Sequence, residues 1–324
     1  MAELSYRHAV AQGIRQEMLR DDSVVLLGED VAGAGGVFKT TGGLLEEFGP
    51  RRVIDTPIAE QAILGVTMGA AMTGLRPIAE VMFADFFAVC WDIVANQIAK
   101  TRYMTDGQVA LPLVIKAGNG GGLSFGAQHS QSVENWAMMI PGLKVVAPST
   151  PRDVIGLMAA AVRADDPVLF FEHKGLYASK ADIPDGELVD ELGTAVVRRS
   201  GRDATLVALA MMVPRALEAA ERLAEQGFDL EVIDVRSLVP LDSQSIIDSV
   251  AKTGRLITVE ENPRLLGWGA EIASIVADEC FWDLDGPVER ITTPHIPLPS
   301  ADSLEDLVIP SVDEIVSRVE KSLS

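Results

Sequence analysis

Apolar runs of strand length alternate with stretches of helical period along the whole chain. Residues 24–28, 53–55, 77–83, 111–117, 143–147 and 167–172 are short, rich in Val, Ile, Leu and Phe, and bounded by turn-forming or polar residues, which predicts six strands in the first half. Strands separated by helical periods predict a largely parallel sheet with helices on both faces. After Lys174 the chain turns polar and aperiodic through Lys180-Ala-Asp-Ile-Pro-Asp-Gly-Glu, which reads as a linker with a boundary near residue 185. Alternation then resumes, with strands at 204–210, 230–235 and 256–260. Helices are expected at 214–226 (ended by Gly227), 243–252 (ended by Gly254) and 270–281. A proline-rich stretch, Thr293-Pro-His-Ile-Pro-Leu-Pro-Ser, and a final helix from about Ser311 complete the pattern. The expectation is two α/β domains, residues 1–185 and 186–324, with no tandem repeat.

Composition narrows the partners. With 324 residues, 48% of them hydrophobic, each domain can bury an ordinary core. A formal net charge of −20 repels phosphate backbones and anionic lipid, so nucleic acid and membrane are not expected partners. The two cysteines, Cys90 and Cys280, lie in apolar helical contexts without C-x-x-C spacing and read as buried thiols rather than a disulfide or zinc site. Met1-Ala-Glu-Leu-Ser-Tyr-Arg-His has no basic region followed by an apolar run, and no apolar run reaches 18 residues, so a soluble, cytoplasmic chain is expected.

Neither G-x-G-x-x-G at a strand–helix turn nor G-x-x-x-x-G-K-[ST] occurs, which disfavours dinucleotide or P-loop chemistry. Gly122-Leu-Ser-Phe-Gly126 matches G-x-S-x-G, which raises a serine hydrolase built on Ser124 as an alternative. A nucleophile elbow places its serine directly between strand and helix, whereas glycine-rich residues separate Ser124 from the strand ending at Ala117. The segment from Val53 to Gly74 runs from a strand into a helix that opens at Glu60 and carries small residues at Gly65, Gly69 and Gly74. Glu60 alone could simply complement the helix dipole, and the glycines alone would mean tight packing.

Asp55-Thr-Pro-Ile-Ala-Glu60 and Gly74-Leu-Arg-Pro-Ile-Ala-Glu80 resemble the beta subunits of the thiamine diphosphate-dependent pyruvate, branched-chain 2-oxo acid and acetoin dehydrogenases. The resemblance continues through Leu27-Gly-Glu-Asp-Val31, Ala127-Gln-His-Ser-Gln-Ser132, Pro141-Gly-Leu-Lys-Val-Val-Ala-Pro-Ser149, Phe171-Glu-His-Lys174 and Val232-Ile-Asp-Val-Arg-Ser-Leu-Val-Pro-Leu-Asp242. It implies an α/β fold of transketolase type, with a pyrimidine-binding domain over a mostly parallel sheet and a smaller C-terminal transketolase-like domain. A non-catalytic scaffold that kept this fold is the other alternative.

The resemblance also implies roles. The cofactor's thiazolium carbon must lose a proton, which its own aminopyrimidine removes; a glutamate hydrogen-bonded to the pyrimidine ring nitrogen stabilises the basic tautomer, and Glu60 matches that glutamate. Phe86 matches an aromatic ring held against the aminopyrimidine, and Glu29 a glutamate near the same site. On sequence alone Phe86 and Phe87 would be core residues and Glu29 a strand-end acid. His129, in a glycine-rich loop at a strand end, matches an active-site histidine that donates a proton or hydrogen bond during acyl transfer to lipoamide. His8, His173 and His295 have no comparable context.

No Gly-Asp-Gly followed by a distant asparagine is present, the pattern by which this superfamily holds magnesium and the diphosphate. The resemblance assigns that half to an alpha subunit, in an alpha2-beta2 heterotetramer that serves an acyltransferase core through its basic subunit-binding module. Many relatives bind potassium through carbonyls and an aspartate. Here Ala164 replaces that aspartate in Val162-Arg-Ala-Asp-Asp166-Pro, so no metal is assigned. Phe171-Glu-His-Lys174, Ala127-Gln-His-Ser-Gln, Thr293-Pro-His-Ile-Pro-Leu-Pro299 and Leu304-Glu-Asp-Leu307 place acetoin slightly ahead of pyruvate or a branched-chain 2-oxo acid as substrate.

Overall fold

The structure, a computed structural model, describes residues 2–323. Contacts divide the chain into two units: the residues up to Asn119 with Trp136–Leu192, and Gly120–Asn135 with the residues from Gly193 onward. Among the described residues no helix is long and apolar enough to cross a membrane.

The first unit contains strands β1 (Ala2–Ser5), β2 (Val24–Gly28), β3 (Val53–Asp55), β4 (Arg76–Phe83), β5 (Val114–Asn119), β6 (Lys144–Val146), β7 (Val168–His173) and β8 (Lys180–Ile183). Its parallel strands lie in the order β6-β7-β5-β4-β2-β3. Every residue of β2, β5 and β7 is buried, as a sheet covered by helices on both faces requires. The crossover after β2 leads to one side of it and the crossover after β4 to the other. The topological switch point therefore lies at the carboxyl ends of β2 and β4, where α/β sheets place ligands in a crevice.

The second unit contains β9 (Val196–Arg199), β10 (Ala204–Ala208), β11 (Leu230–Asp234), β12 (Ser237–Val239), β13 (Leu256–Pro263) and β14 (Glu289–Thr293). Its main sheet has the order β14-β13-β10-β11-β9, parallel except for β9. Helices Met212–Ala224 and Val312–Leu323 contribute to its apolar core through Ala216, Ala220, Leu223, Ile315 and Val319.

The strands expected from apolar runs form with ends shifted by a few residues, and the helix beginning at Glu60 runs to Met72. Five strands were not anticipated: β1, β8, β9, β12 and β14. Lys180–Ile183, read as linker, pairs antiparallel with β1, Ser5 opposite Lys180. β9 and β14, the outer strands of their sheet, carry charged residues within short sequences, Val-Val-Arg-Arg and Glu-Arg-Ile-Thr-Thr; β9 is only partly buried, whereas Arg290 of β14 is buried and forks onto Glu260 at 2.8 Å.

Helix Pro151–Arg163 starts where Thr150 Oγ1 accepts from the Asp153 amide at 3.2 Å and proline occupies the first turn. It packs on helix Tyr6–Arg20, whose Gly13 permits close approach, since a Cβ there would lie 3.1 Å from Met158 Cβ. Across that contact Arg163 forks onto the buried Glu17 carboxylate at 2.9 and 2.8 Å, and Arg20 adds a third bond at 2.7 Å. At the same end of helix Pro151–Arg163, Arg76 Nη1 donates to the carbonyls of Val162 and Ala164 at 2.9 and 3.1 Å, and Nη2 to Asp165 at 3.0 Å. This places a cation against the helix C-terminus.

The interior of the first sheet holds a charge cluster. Lys116 of β5 stands opposite Glu80 of β4, and its Nζ lies 2.5 Å from Glu80 Oε2, 3.0 Å from Glu172 Oε1 of β7 and 3.3 Å from Thr40 Oγ1. Tyr177 donates its hydroxyl to Glu172 at 3.0 Å, and all five side chains are buried. Burial alone would lower the Lys116 pKa, but the two carboxylates outweigh it and hold the ammonium charged above its ordinary value.

Two outcomes test these networks. Lys116→Met leaves two buried carboxylates without their cation and should cost about 3–5 kcal/mol in urea unfolding, with Glu172→Gln in the same background restoring part of the loss. For Glu17, burial pushes the carboxyl up, but the bonds from Arg163 and Arg20 hold it below its ordinary value. A depressed carboxyl stabilises above its unfolded pKa and loses that contribution as pH falls through the folded value. Glu17→Gln should therefore lower stability by about 3 kcal/mol at neutral pH, and the gap to the parent should close well below pH ~4.

Candidate active site

The turn after β2 is tightly built. Gly28 faces Glu80 across the ladder, and a Cβ on it would come within 2.9 Å of Glu80 Cβ, so only glycine fits. Glu29 follows, then Asp30 with φ +56. Asp55, the last residue of β3, accepts from the amides of Ala32 at 2.7 Å and Gly33 at 3.2 Å; Thr41 Oγ1 donates to the Val31 carbonyl at 2.7 Å. The Thr56 amide donates to Gly28 O at 2.9 Å, which fixes the start of the Asp55–Glu60 turn beside Glu29.

Glu60 is the first residue of helix Glu60–Met72, where backbone N–H groups point toward a carboxylate. The Glu29 carboxyl is pushed above its ordinary value first by burial and then by the negative charges of Asp30, Glu60 and Glu80. Glu29 after β2, Glu60 at the start of the helix after β3 and Glu80 within β4 are therefore close enough for the last two to raise the first.

β4 shifts register between Val81 and Phe83, then enters a tight turn, Ala84–Phe86, and helix Phe87–Asp92. The two adjacent phenylalanines separate here: Phe87 is buried against Trp91 and Phe171, whereas Phe86 is half-buried, edge-on to Phe83 at 5.5 Å. Cys90 donates its thiol to the Phe86 carbonyl at 3.5 Å. That thiol is pushed up to about 12 by burial and then by the charge of Glu60, so Cys90 is no nucleophile at neutral pH. Both cysteines are buried and free of disulfide.

Glu29, Glu60 and Phe86 thus belong to the first unit, all following carboxyl ends of its strands. His129 belongs to the second unit, on Gly120–Asn135, where its amide donates to Gly126 O at 3.2 Å. Ser124 lies on the same segment with φ +57, between a strand ending at Asn119 and a helix starting at Glu134, so it is not a strand-to-helix elbow. Its hydroxyl faces the carboxylates of Asp302 and Glu305. His173 Nδ1 accepts from the Gly175 amide at 3.1 Å, His8 Nδ1 contacts Ser5 Oγ at 2.9 Å, and His295 is exposed.

Charge within apolar strands is a signal that sequence reasoning left unused. Glu80, Lys116 and Glu172 each interrupt a buried run, and they meet beneath the switch point. Thr56 Oγ1, four residues before Glu60, is buried with no hydrogen-bond partner. A carboxylate at a helix N-terminus, a half-exposed ring and an unsatisfied hydroxyl suit a flat heteroaromatic group bearing ring nitrogens and an amino group. Among the described residues no cluster of His, Cys, Asp or Glu could hold a metal ion.

Residues 2–180 match the pyrimidine-binding domain of transketolase, and residues 193–315 match the transketolase C-terminal domain. The chain is 46% identical to the beta subunit of acetoin:2,6-dichlorophenolindophenol oxidoreductase from Bacillus subtilis, covering 97% of this chain and 95% of the relative. It is 44% identical to the beta subunit of 2-oxoisovalerate dehydrogenase from the same organism, covering 97% of each chain. Identity is also 44% to the pyruvate dehydrogenase E1 component subunit beta of Rickettsia felis, covering 98% of each. Among solved structures, a split-gene transketolase described as an inactive beta4 tetramer superposes with a TM-score of 0.82 at 25% identity, covering 99% of this chain and 98% of that one. The chain belongs to the transketolase-fold family of thiamine-dependent beta subunits that serves the acetoin, branched-chain 2-oxo acid and pyruvate dehydrogenases.

Proposed function

We propose that the chain is the beta subunit of a thiamine diphosphate-dependent dehydrogenase that cleaves acetoin and passes the acyl group to lipoamide on an acyltransferase core; pyruvate or a branched-chain 2-oxo acid is the alternative substrate. The observation that carries this reading is the placement of Glu60. It opens its helix near Glu29, whose carboxyl its charge helps to raise, beside the switch point of the sheet. Relatives named for acetoin, 2-oxoisovalerate and pyruvate, at 46%, 44% and 44% identity, support the substrate class.

Thiamine diphosphate, when bound, supplies the carbon nucleophile that attacks the substrate carbonyl. Glu60 would hold a proton against a pyrimidine ring nitrogen. Phe86 presents its half-exposed ring to the pyrimidine face. Glu29, whose carboxyl is already raised, retains a proton more readily than an isolated glutamate and can share it with neighbouring groups. His129 donates a proton or hydrogen bond during acyl transfer to the lipoyl group.

The diphosphate and its Mg2+ require donors outside the residues assigned here, and an alpha subunit in an alpha2-beta2 heterotetramer supplies them. Helix Glu60–Met72 offers a packing face for such a partner: Ile58, Val66 and Met72 are exposed, and Gly69 has open space over its Cα. The net charge of −20 suits attraction to the basic subunit-binding module of the core, an attraction that weakens as salt is raised.

Co-expression with the alpha subunit tests the reading. Thiamine diphosphate-dependent reduction of dichlorophenolindophenol should appear only in the mixture, fastest with acetoin when pyruvate and 3-methyl-2-oxobutanoate are run in parallel. Glu60→Gln should reduce turnover by at least about a hundredfold. Full activity of that variant would favour the scaffold alternative.

A further inference from the structure

Gly120–Asn135 lies in the first half of the sequence but packs with the second unit. Its backbone donors are met there by two buried acids far along the chain. Glu261 of β13, 9% exposed, accepts from the Gly121 amide at 2.6 Å and from Ser132 Oγ at 3.1 Å, so one carboxylate oxygen ties both ends of the segment. Glu305, 2% exposed at the end of a short helix Asp302–Glu305, accepts from the Ser124 amide at 2.8 Å and lies 3.2 Å from Ser124 Oγ, which also contacts Asp302. The Gly120 amide closes the base of the segment onto Gln131 O at 3.1 Å, and Asn135 Nδ2 donates to Leu266 O at 2.9 Å. Gly121 is packed so tightly that a Cβ would meet Leu298 and Ile309 methyls at 2.8 Å. Between these anchors stands His129.

We propose that Glu261 and Glu305 are positioning residues that clamp this segment and thereby set where His129 acts, a statement that rests on the role given to His129 above. Amide-to-carboxylate bonds are charge-assisted and shorter than neutral ones. Two of them, on amides upstream of His129, fix backbone that glycine would otherwise leave mobile. Neither acid touches substrate in this account; each acts through the loop.

The test uses the full chain and its reconstituted complex. In Glu305→Ala and Glu261→Ala, amide hydrogen exchange across residues 121–132 should quicken by about tenfold or more while β2, β5 and β7 stay protected. In the complex the same variants should lower kcat for acyl transfer by about tenfold with KM for acetoin nearly unchanged. Combined with His129→Ala they should lower it less than the product of the separate effects. Glu305→Gln keeps an acceptor for the Ser124 amide and should recover most of both readouts. Exchange at the parental rate, or a loosened segment with parental kcat, would overturn the proposal. If the parent complex shows no thiamine-dependent activity, the functional reading fails, while the exchange measurement still decides whether the two acids clamp the segment.

Discussion

The first unit depends on one ammonium group being acceptable in the middle of a sheet. Lys116 has no route to water from a strand buried on both faces, and it persists because Glu80 and Glu172 reach it from the neighbouring strands. The geometry follows from the parallel ladder: residues at matching register on β4 and β5 point the same way, so Glu80 and Lys116 necessarily share a face. Removing Lys116 leaves two buried carboxylates without their cation, which is costlier than never having placed the groups there. Two carboxylates against one ammonium also leave the interior negative beneath the switch point, with Tyr177 donating to Glu172 without adding charge.

That negative interior conditions what happens at the strand ends. Glu29 follows the residue that stands opposite Glu80, and its carboxyl is raised by burial and by three neighbouring acids. Crowding carboxylates in this way raises Glu29, because neighbouring negative charges disfavour its ionised form. Glu60 is distinguished from the others by its helix N-terminus, which offers a compensating partial positive charge. Groups of one chemical type thus acquire different environments from their backbone positions alone.

The fold was readable wherever burial writes itself as an uninterrupted apolar run, as in β2, β5, β7, β10 and β11. It was not readable at β9 and β14, whose outer positions let arginine and glutamate into the pattern, or at Lys180–Ile183, whose partner is the first strand of the chain. Candidate residues were legible through motif resemblance: Glu60 as a residue opening a helix, and Phe86 only by alignment, because Phe86 and Phe87 look identical until the turn at Ala84–Phe86 buries one and leaves the other half-exposed. The Lys116 cluster left a visible trace, a charge within each of three apolar strands. The membership of Gly120–Asn135 left none, because its partners Glu261 and Glu305 are far away in sequence and carry no local pattern that points back to it.

That last fact changes how the C-terminal region should be regarded. β13 and helix Asp302–Glu305 look like ordinary components of a small α/β unit, yet they supply the acceptors for a glycine-rich segment that arises from β5 of the first unit. A loop with this many glycines has a large conformational entropy to lose, and short-range bonds such as His129 N to Gly126 O cannot offset it alone. Charge-assisted bonds from rigid elements can, because a strand and a packed helix end cost little to order further. The second unit therefore holds the segment that carries His129 through Glu261 and Glu305, so substitutions near residue 305 bear on that segment although they are distant from it in sequence.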